Sequence, residues 1–495
     1  MTTVTAVPDH TPAGTADPHT PVPTTAGPTT AGPTTAGPTT AGSATPGRRR
    51  GRKAVSVEAG GAEPIALSAR HGRPFQQALM WTSPNMEFAT VFVGALGVLV
   101  FGLSFWTAVA AIVLGNALGA LFHGLLATWG PQTGLGQMAL GRKAFGFWGN
   151  LLPAGFNSIL GGMGWLAVNS VSGALALSTL AHWNPYLCLV IAMSITLTIA
   201  FFGHDAVQAL ERFAFPVLTV VFAVGVVLVM LKTNPSAAHH ATPGAFWIVF
   251  GASFGYTGGW MVNAADYARY LRPDQARKAG FFAGLGNFTS STVLQIAGAA
   301  AVTAVGVSSF DSSDPVSSYA SLLPGWLGQL TLAAVFLGAL SANSLNLYSS
   351  ALSFAAMGIS LPTRFARAII ALVIGFVALA LALAVLKDTS SFGDFLLVTA
   401  YWIGPWLGVV LADRLLNKPQ GDVLATLTDR GHRNWAGPIS MVVAGVVSIA
   451  LFCNQTAYVG LLARSHPGLG DLTFEVGIAL AFGLYALLRP VFARR

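Results

Sequence analysis

The segment Trp81-Thr82-Ser83-Pro84-Asn85-Met86-Glu87 is a polar, proline-bearing heptapeptide between long apolar flanks, and its reading decides the fold. Pro84 has no backbone donor and clashes with the preceding turn, so a helix entering this stretch must break or kink. Outward from it, apolar stretches with short polar breaks run to the C-terminus, each long enough for a hydrocarbon core of about 30 Å, which needs about 20 residues. The breaks delimit about twelve spans, near 76–101, 103–128, 147–180, 185–203, 206–231, 245–265, 280–307, 325–357, 363–386, 391–413, 434–454 and 470–488. Span 6 carries Gly251, Gly255, Gly258 and Gly259 around Phe254, Tyr256 and Trp260. That glycine density makes unwinding cheap.

The two interrupted spans lie five apart. They hold matching positions if spans 1–5 (about 76–231) and 6–10 (about 245–413) are repeats, and an odd number of spans per repeat inverts one across the membrane. Interrupted helices at corresponding positions of two halves point to a transporter binding site near the midplane. The expected fold is an all-α integral membrane protein with a five-plus-five inverted repeat and two extra C-terminal helices. Residues 71–414 form its core, and 415–495 supply a cytoplasmic linker with spans 11 and 12.

Composition agrees, with 53% hydrophobic and 9% charged residues. With an even number of spans, both termini share a face, and the 26 Lys and Arg residues divide 23 to 3 between the faces. Only Lys232, Lys387 and Arg464 fall on the poorer side, so the richer face, with both termini, is cytoplasmic in an inner or plasma membrane. The net charge of +8 follows from these loop clusters and calls for no nucleic-acid partner, membrane lipids aside. Cys188 and Cys453 lie in or at the ends of apolar spans, without spacing for a disulfide or metal. Residues 1–70 read as a disordered cytoplasmic tail. Thr24 to Gly42 repeats Pro-Thr-Thr-Ala-Gly with period five, Arg48 to Lys53 is a basic juxtamembrane cluster, and neither can bury a core.

Polar groups at hydrocarbon depth are expensive and so point to function. In span 3, Asn157, Gly161, Trp165 and Asn169 recur every four residues and share a helix face. An indole with an amide one turn on offers a flat ring a stacking surface and an edge partner. In span 8, Asn343 and Asn346 are three apart and can face one cavity, although Ser and Asn also join membrane helices. Glu87, in the break, can carry a proton. Asp266 and Arg269 are spaced for a helical ion pair and read as a cytoplasmic gate or structural lock. Glu211, beside Arg212, fits either a cytoplasmic interface or a cavity. His123 reads as packing. The sequence holds no metal cluster, P-loop or nucleophile elbow, so an enzyme is not expected.

At these residues the chain resembles the nucleobase:cation symporters, in their purine–cytosine permease branch. The likeness runs through Trp81-x-Ser83-x-Asn85-Met86-Glu87, Leu114-Gly115-Asn116-x-x-Gly119-Ala120 and Gly130-Pro131-Gln132-Thr133-Gly134-Leu135. It continues through Gly164-Trp165-x-x-x-Asn169, Asp266-Tyr267-Ala268-Arg269-Tyr270-Leu271 and Asn343-x-Leu345-Asn346-x-Tyr348-Ser349. The resemblance implies a leucine-transporter-like fold importing cytosine or a purine with a cation and no cofactor. It implies base contacts at Trp165, Asn169, Asn343 and Asn346, with Ser83 from span 1 and an aromatic from Phe254, Tyr256 or Trp260. Glu211 resembles an acidic position that matters in some relatives. Coupling is expected at Asn85, Glu87, Ala89 and Ser341, where sodium would sit near Asn85, Ala89 and Ser341. Sodium-coupled relatives tend to carry two adjacent hydroxyls on span 8, whereas this chain has Ser341-Ala342, which favours a proton. The alternatives are a carrier of another heterocycle (allantoin, hydantoin, a vitamin) or of an amino acid, and, in a different class, a channel or non-transporting receptor.

Overall fold

The computed structural model describes residues 63–202, 204–237, 240–311, 314–359, 366–386, 392–417 and 423–492. The five-residue repeat, the basic cluster Arg48–Lys53 and Lys387 lie outside the described residues. Apart from two isolated bridges, the described residues hold helices and turns, and no strand.

The principal helices are α1 (Gln76–Thr82), α2 (Phe88–Leu99), α3 (Phe105–Ala127), α4 (Trp165–Ala181), α5 (Pro185–Phe202), α6 (His204–Lys232) and α7 (Ala245–Gly258). There follow α8 (Ala264–Ala268), α9 (Ala276–Val305), α10 (Gly325–Ala356), α11 (Ala366–Val385), α12 (Phe392–Leu416), α13 (Ala436–Phe452) and α14 (Thr473–Phe492). Eight helical segments among the described residues are long and apolar enough to cross a membrane. Three shorter apolar helices, at Phe88–Leu99, Ile369–Ala384 and Ala436–Phe452, accompany them. The shortfall from twelve has a local cause where expected helices are split, since α1 and α2 share one span and α7 and α8 another.

The first split falls on the proline heptapeptide. α1 ends at Thr82, a 3-10 turn covers Ser83–Asn85, and Glu87 is extended (φ −144°, ψ 172°) before α2 begins. The second split falls later than the glycines foretell. α7 runs unbroken through Gly251 and Gly255 and stops at Gly258, and a 3-10 turn at Met261–Asn263 leads into α8. Gly255 stays helical because α12 packs there, where a Cβ would stand 2.9 Å from Leu396 O. Glycine permits a break; packing decides whether one occurs.

Two helix groups flank the breaks. α1 and α2 pack on α9, which packs on α3, which in turn packs on α7, whereas α4 packs on α10, and α5 on α11. α2 and α9 approach backbone to backbone. A Cβ on Gly94 would stand 1.7 Å from Gln295 O, and one on Gly298 1.8 Å from Val91 O, so only glycine fits at either. α10 meets the first break the same way, at Gly338 against Met86 O. The span containing α4 holds a π-helix at Asn157–Gly164. Wider turns there spoil the four-residue face expected from Asn157 to Asn169.

The end of the expected tail is also fastened. Ile65 N–H donates to Gly134 O at 2.9 Å, and Arg70 donates to Ile65 O at 2.9 Å and to Pro131 O at 2.5 Å. Residues 65–70 thus belong to the folded unit, because the loop between α3 and the next span offers them free carbonyls.

Candidate functional site

A small cavity lies between the two breaks, lined by Pro84, Trp165, Asn169, Tyr256, Gly259, Trp260 and Asn346. Five of the eight candidate base-contact residues therefore meet in one place. About 10 Å³ is open to the centre of a water molecule, room for about one water, so the walls are drawn together in this conformation. Trp165 meets Tyr256 edge-on with ring centroids 5.5 Å apart, and Phe395 of α12 edge-on at 5.2 Å. Trp260 donates its indole N–H to Asn85 Oδ1 at 2.8 Å. Asn169 is buried, and its Oδ1 has no hydrogen-bond partner. A buried amide oxygen without a donor costs about 1–3 kcal/mol, which a ligand's N–H can recover.

Three candidates lie elsewhere. Asn343 donates to Ser170 Oγ at 2.9 Å and Leu166 O at 3.3 Å, so it joins α10 to α4 rather than facing the cavity beside Asn346. A spacing of three allows a shared face, but α4 packs against one side of α10 and takes Asn343 with it. Ser83 contacts Ser341 Oγ at 3.3 Å, and Ser341 donates to Glu211 Oε1 at 2.7 Å. Glu211 is thus buried in a hydroxyl cluster beside the first break, although its neighbour Arg212 gave it a cytoplasmic look. Phe254, the third aromatic candidate, stacks on Phe474 of α14 with centroids 4.0 Å apart, away from the cavity.

The residues expected around a cation divide in two. Asn85 Nδ2 donates toward Trp81 O, Asn287 Oδ1 and Ser290 Oγ, its Oδ1 accepts from the Trp260 indole N–H and its backbone carbonyl accepts from Thr90 Oγ1. Ser341 is turned to Glu211, and Ala89 presents its N–H to Glu87 Oε2 at 2.8 Å. In this conformation the side chains of Asn85 and Ser341 are hydrogen-bonded to protein partners. No cluster of three His, Cys, Asp or Glu side chains occurs among the described residues. Glu87 caps α2, and its Oε1 accepts Tyr256 O–H at 3.0 Å.

Asp266 and Arg269 bind other elements. Asp266 Oδ1 accepts Gln137 N–H at 2.8 Å, while Arg269 reaches Tyr348 OH at 3.2 Å and Tyr270 OH at 3.3 Å. Beside them, Arg142 donates to Ala356 O and Leu427 O, and Lys143 pairs with Asp413 at 2.7 Å. Burial, then the nearby Arg430, pushes Arg142 down to about 10. His123 packs edge-on against Trp81 at 4.4 Å.

The model of a permease family for cytosine/purines, uracil, thiamine and allantoin matches residues 64–477. The chain belongs to this family. It is a multi-pass membrane protein. It is 26% identical over 470 residues to purine-cytosine permease FCY2 of Saccharomyces cerevisiae, covering 88% of this chain and 86% of that one. It is likewise 26% identical over 440 residues to the cytosine permease of Escherichia coli strain K12, covering 87% and 94%. Mhp1, a nucleobase-cation-symport-1 family transporter solved closed with bromovinylhydantoin bound, matches with a TM-score of 0.69 at 20% identity, over 88% of this chain and 95% of that one. Its inward-facing form gives 0.68 at 19%, over 88% and 93%. The permease thus shares the helical transporter fold of Mhp1.

Proposed function

We propose that this permease imports a nucleobase, cytosine or a purine, by proton symport. The observation that carries the reading is the cavity at the two breaks, where two indoles, a phenol and two amides meet and the Asn169 amide oxygen lacks a donor. Trp165 stacks on the base, Asn169 and Asn346 pair with its edge, and Tyr256 and Trp260 close the far side. Ser83, Ser341 and Glu211 form the polar flank of the same cavity once its walls part. Asn343 keeps α4 and α10 in register.

Proton rather than sodium coupling is supported by Ser341-Ala342 and by the hydrogen bonds of the Asn85 and Ser341 side chains to protein partners. Glu87 is the coupling carboxylate. Twelve spans in a five-plus-five inverted repeat, with both termini cytoplasmic, rock about broken spans 1 and 6 to give alternating access. Asp266 with Gln137, and Arg269 with Tyr348, close the cytoplasmic side.

The test is counterflow of labelled cytosine in proteoliposomes, with adenine, guanine, hypoxanthine, uracil, thiamine and allantoin as competitors, with and without sodium. Exchange competed by nucleobases and accumulation driven by a pH gradient are expected. Absence of exchange would indicate a channel or receptor, competition by allantoin or thiamine alone would move the substrate class, and pH-independent, sodium-driven accumulation would overturn the proton.

A further inference from the structure

Four oxygen atoms run in a line across the gap between the two broken helices. Thr90 Oγ1 donates to Asn85 O at 2.5 Å, Thr90 Oγ1 touches Tyr256 OH, and Tyr256 OH reaches Glu87 Oε1 at 3.0 Å. Thr90, Tyr256 and Glu87 are all buried, so water replaces none of these contacts. Three oxygen–oxygen contacts need three hydrogens. Thr90 and Tyr256 bring one each. With Glu87 ionised, one contact is left as lone pair against lone pair, an arrangement a low-dielectric interior penalises. With a proton on Glu87 Oε1 the count closes, since Glu87 donates to Tyr256, Tyr256 to Thr90 and Thr90 to Asn85 O. Glu87 Oε2 remains free to accept Ala89 N–H, as a neutral acid's carbonyl oxygen does.

What could hold a carboxylate instead is limited to the N–H groups at the start of α2, where Glu87 caps the helix, and the Tyr256 hydroxyl. The α10 backbone at Gly338 lies against Glu87, and the Asn287 and Ser290 side chains of α9 are bonded to Asn85. Glu211 of α6 is bonded to Ser341. Tyr256 of α7 is the titratable partner, and among the described residues no basic side chain pairs with Glu87.

We propose that Glu87 is a neutral acid in this conformation and that Tyr256 is the positioning residue that ties its proton to the base. The Tyr256 ring lines the cavity and its hydroxyl is part of the hydrogen-bond line, so the parting of the cavity walls that lets a base leave displaces the ring, breaks the line and frees the proton to solvent. One proton enters with the base and leaves with it; no other bond changes. This rests on the proton-symport reading above.

Infrared spectra of the purified protein test the first half without any base. A carboxylic-acid C=O band present in the parent and lost in Glu87→Gln is expected; identical spectra would overturn it. Base binding across about pH 5 to 9 tests the second half. One linked proton weakens parent binding by up to about tenfold per pH unit once Glu87 ionises. Tyr256→Phe keeps a ring in the cavity and a measurable affinity, but its pH slope should fall below about twofold per unit, as should that of Glu87→Gln. A Tyr256→Phe protein with the parent's slope, or a parent with none, would overturn the linkage. A parent that binds no base at any pH would refute the transport reading instead, leaving the infrared result standing.

Discussion

Removing the Trp165 ring should weaken every base together. Trp165 is buried and touches Tyr256 and Phe395, so Trp165→Ala deletes both an expected stacking face and two aromatic contacts. Stacking of a base on an aromatic side chain is worth about 1–3 kcal/mol, which is about 5- to 140-fold in Kd at 1.4 kcal/mol per decade. The two ring pairs contribute about 0.5–1.5 kcal/mol each to the fold beyond their buried area, and a buried Trp→Ala change costs about 3–5 kcal/mol in all. Stability and affinity therefore fall together and must be measured apart, by thermal unfolding and by equilibrium binding of the purified protein well below its midpoint. Trp165→Phe keeps a flat face and should lose under about tenfold. The rank order of bases should stay unchanged in both variants. A folded Trp165→Ala protein that binds all bases as the parent does, or that loses only one of them, would refute the assignment of this wall.

Asn169→Ala should reorder cytosine, adenine, guanine and hypoxanthine in a competition assay, because it removes the unpartnered Oδ1 that reads the base edge. A chain beginning at Glu63 should take up base as the full chain does, whereas one beginning at His71 loses the Arg70–Pro131 and Ile65–Gly134 bonds and should take up less at equal membrane level. Arg142→Lys should lower the thermal midpoint by an amount matching about 1–3 kcal/mol, since a single ammonium cannot serve Ala356 O and Leu427 O as the guanidinium does. From about pH 10 upward, buried Arg142 gives up its proton before an unfolded arginine would, so the penalty of burying its charge shrinks and its contribution to stability rises. Pulse proteolysis across that window should lose this upward trend in Arg142→Lys.

Span 1 was legible because a proline settles the matter within seven residues: nothing distant can restore the missing donor. The break in span 6 was legible only as a region, since Gly255 stays helical under α12 and only the last two glycines mark the end. Trp165 and Asn169 could be paired by spacing because both lie in one regular helix, α4. Asn157 could not, because the π-helix between them changes the residues per turn, and its amide goes to Asn263 and Ser353 instead. Asn85, Asn343 and Glu211 found their partners on other spans, Asn287, Ser170 and Ser341. No local pattern encodes such meetings, so polarity at depth could flag these residues as special without saying what each one touches.

α12 and α14 are riveted to each other at two heights. Tyr485 donates to Asp413 Oδ1 at 2.8 Å, and 12 residues earlier on α12 Tyr401 donates to Asp471, just before α14 begins. At 1.5 Å per residue the two fastenings are about 18 Å apart, most of the thickness of the bilayer core. A beam fixed at two points cannot tilt alone. Phe395, which leans on Trp165 from near the start of α12, therefore moves only if α14 travels with it or one rivet opens. α14 is then a stiffener, and a version of this protein without α13 and α14 would be floppier at the Trp165 wall of the cavity rather than merely smaller.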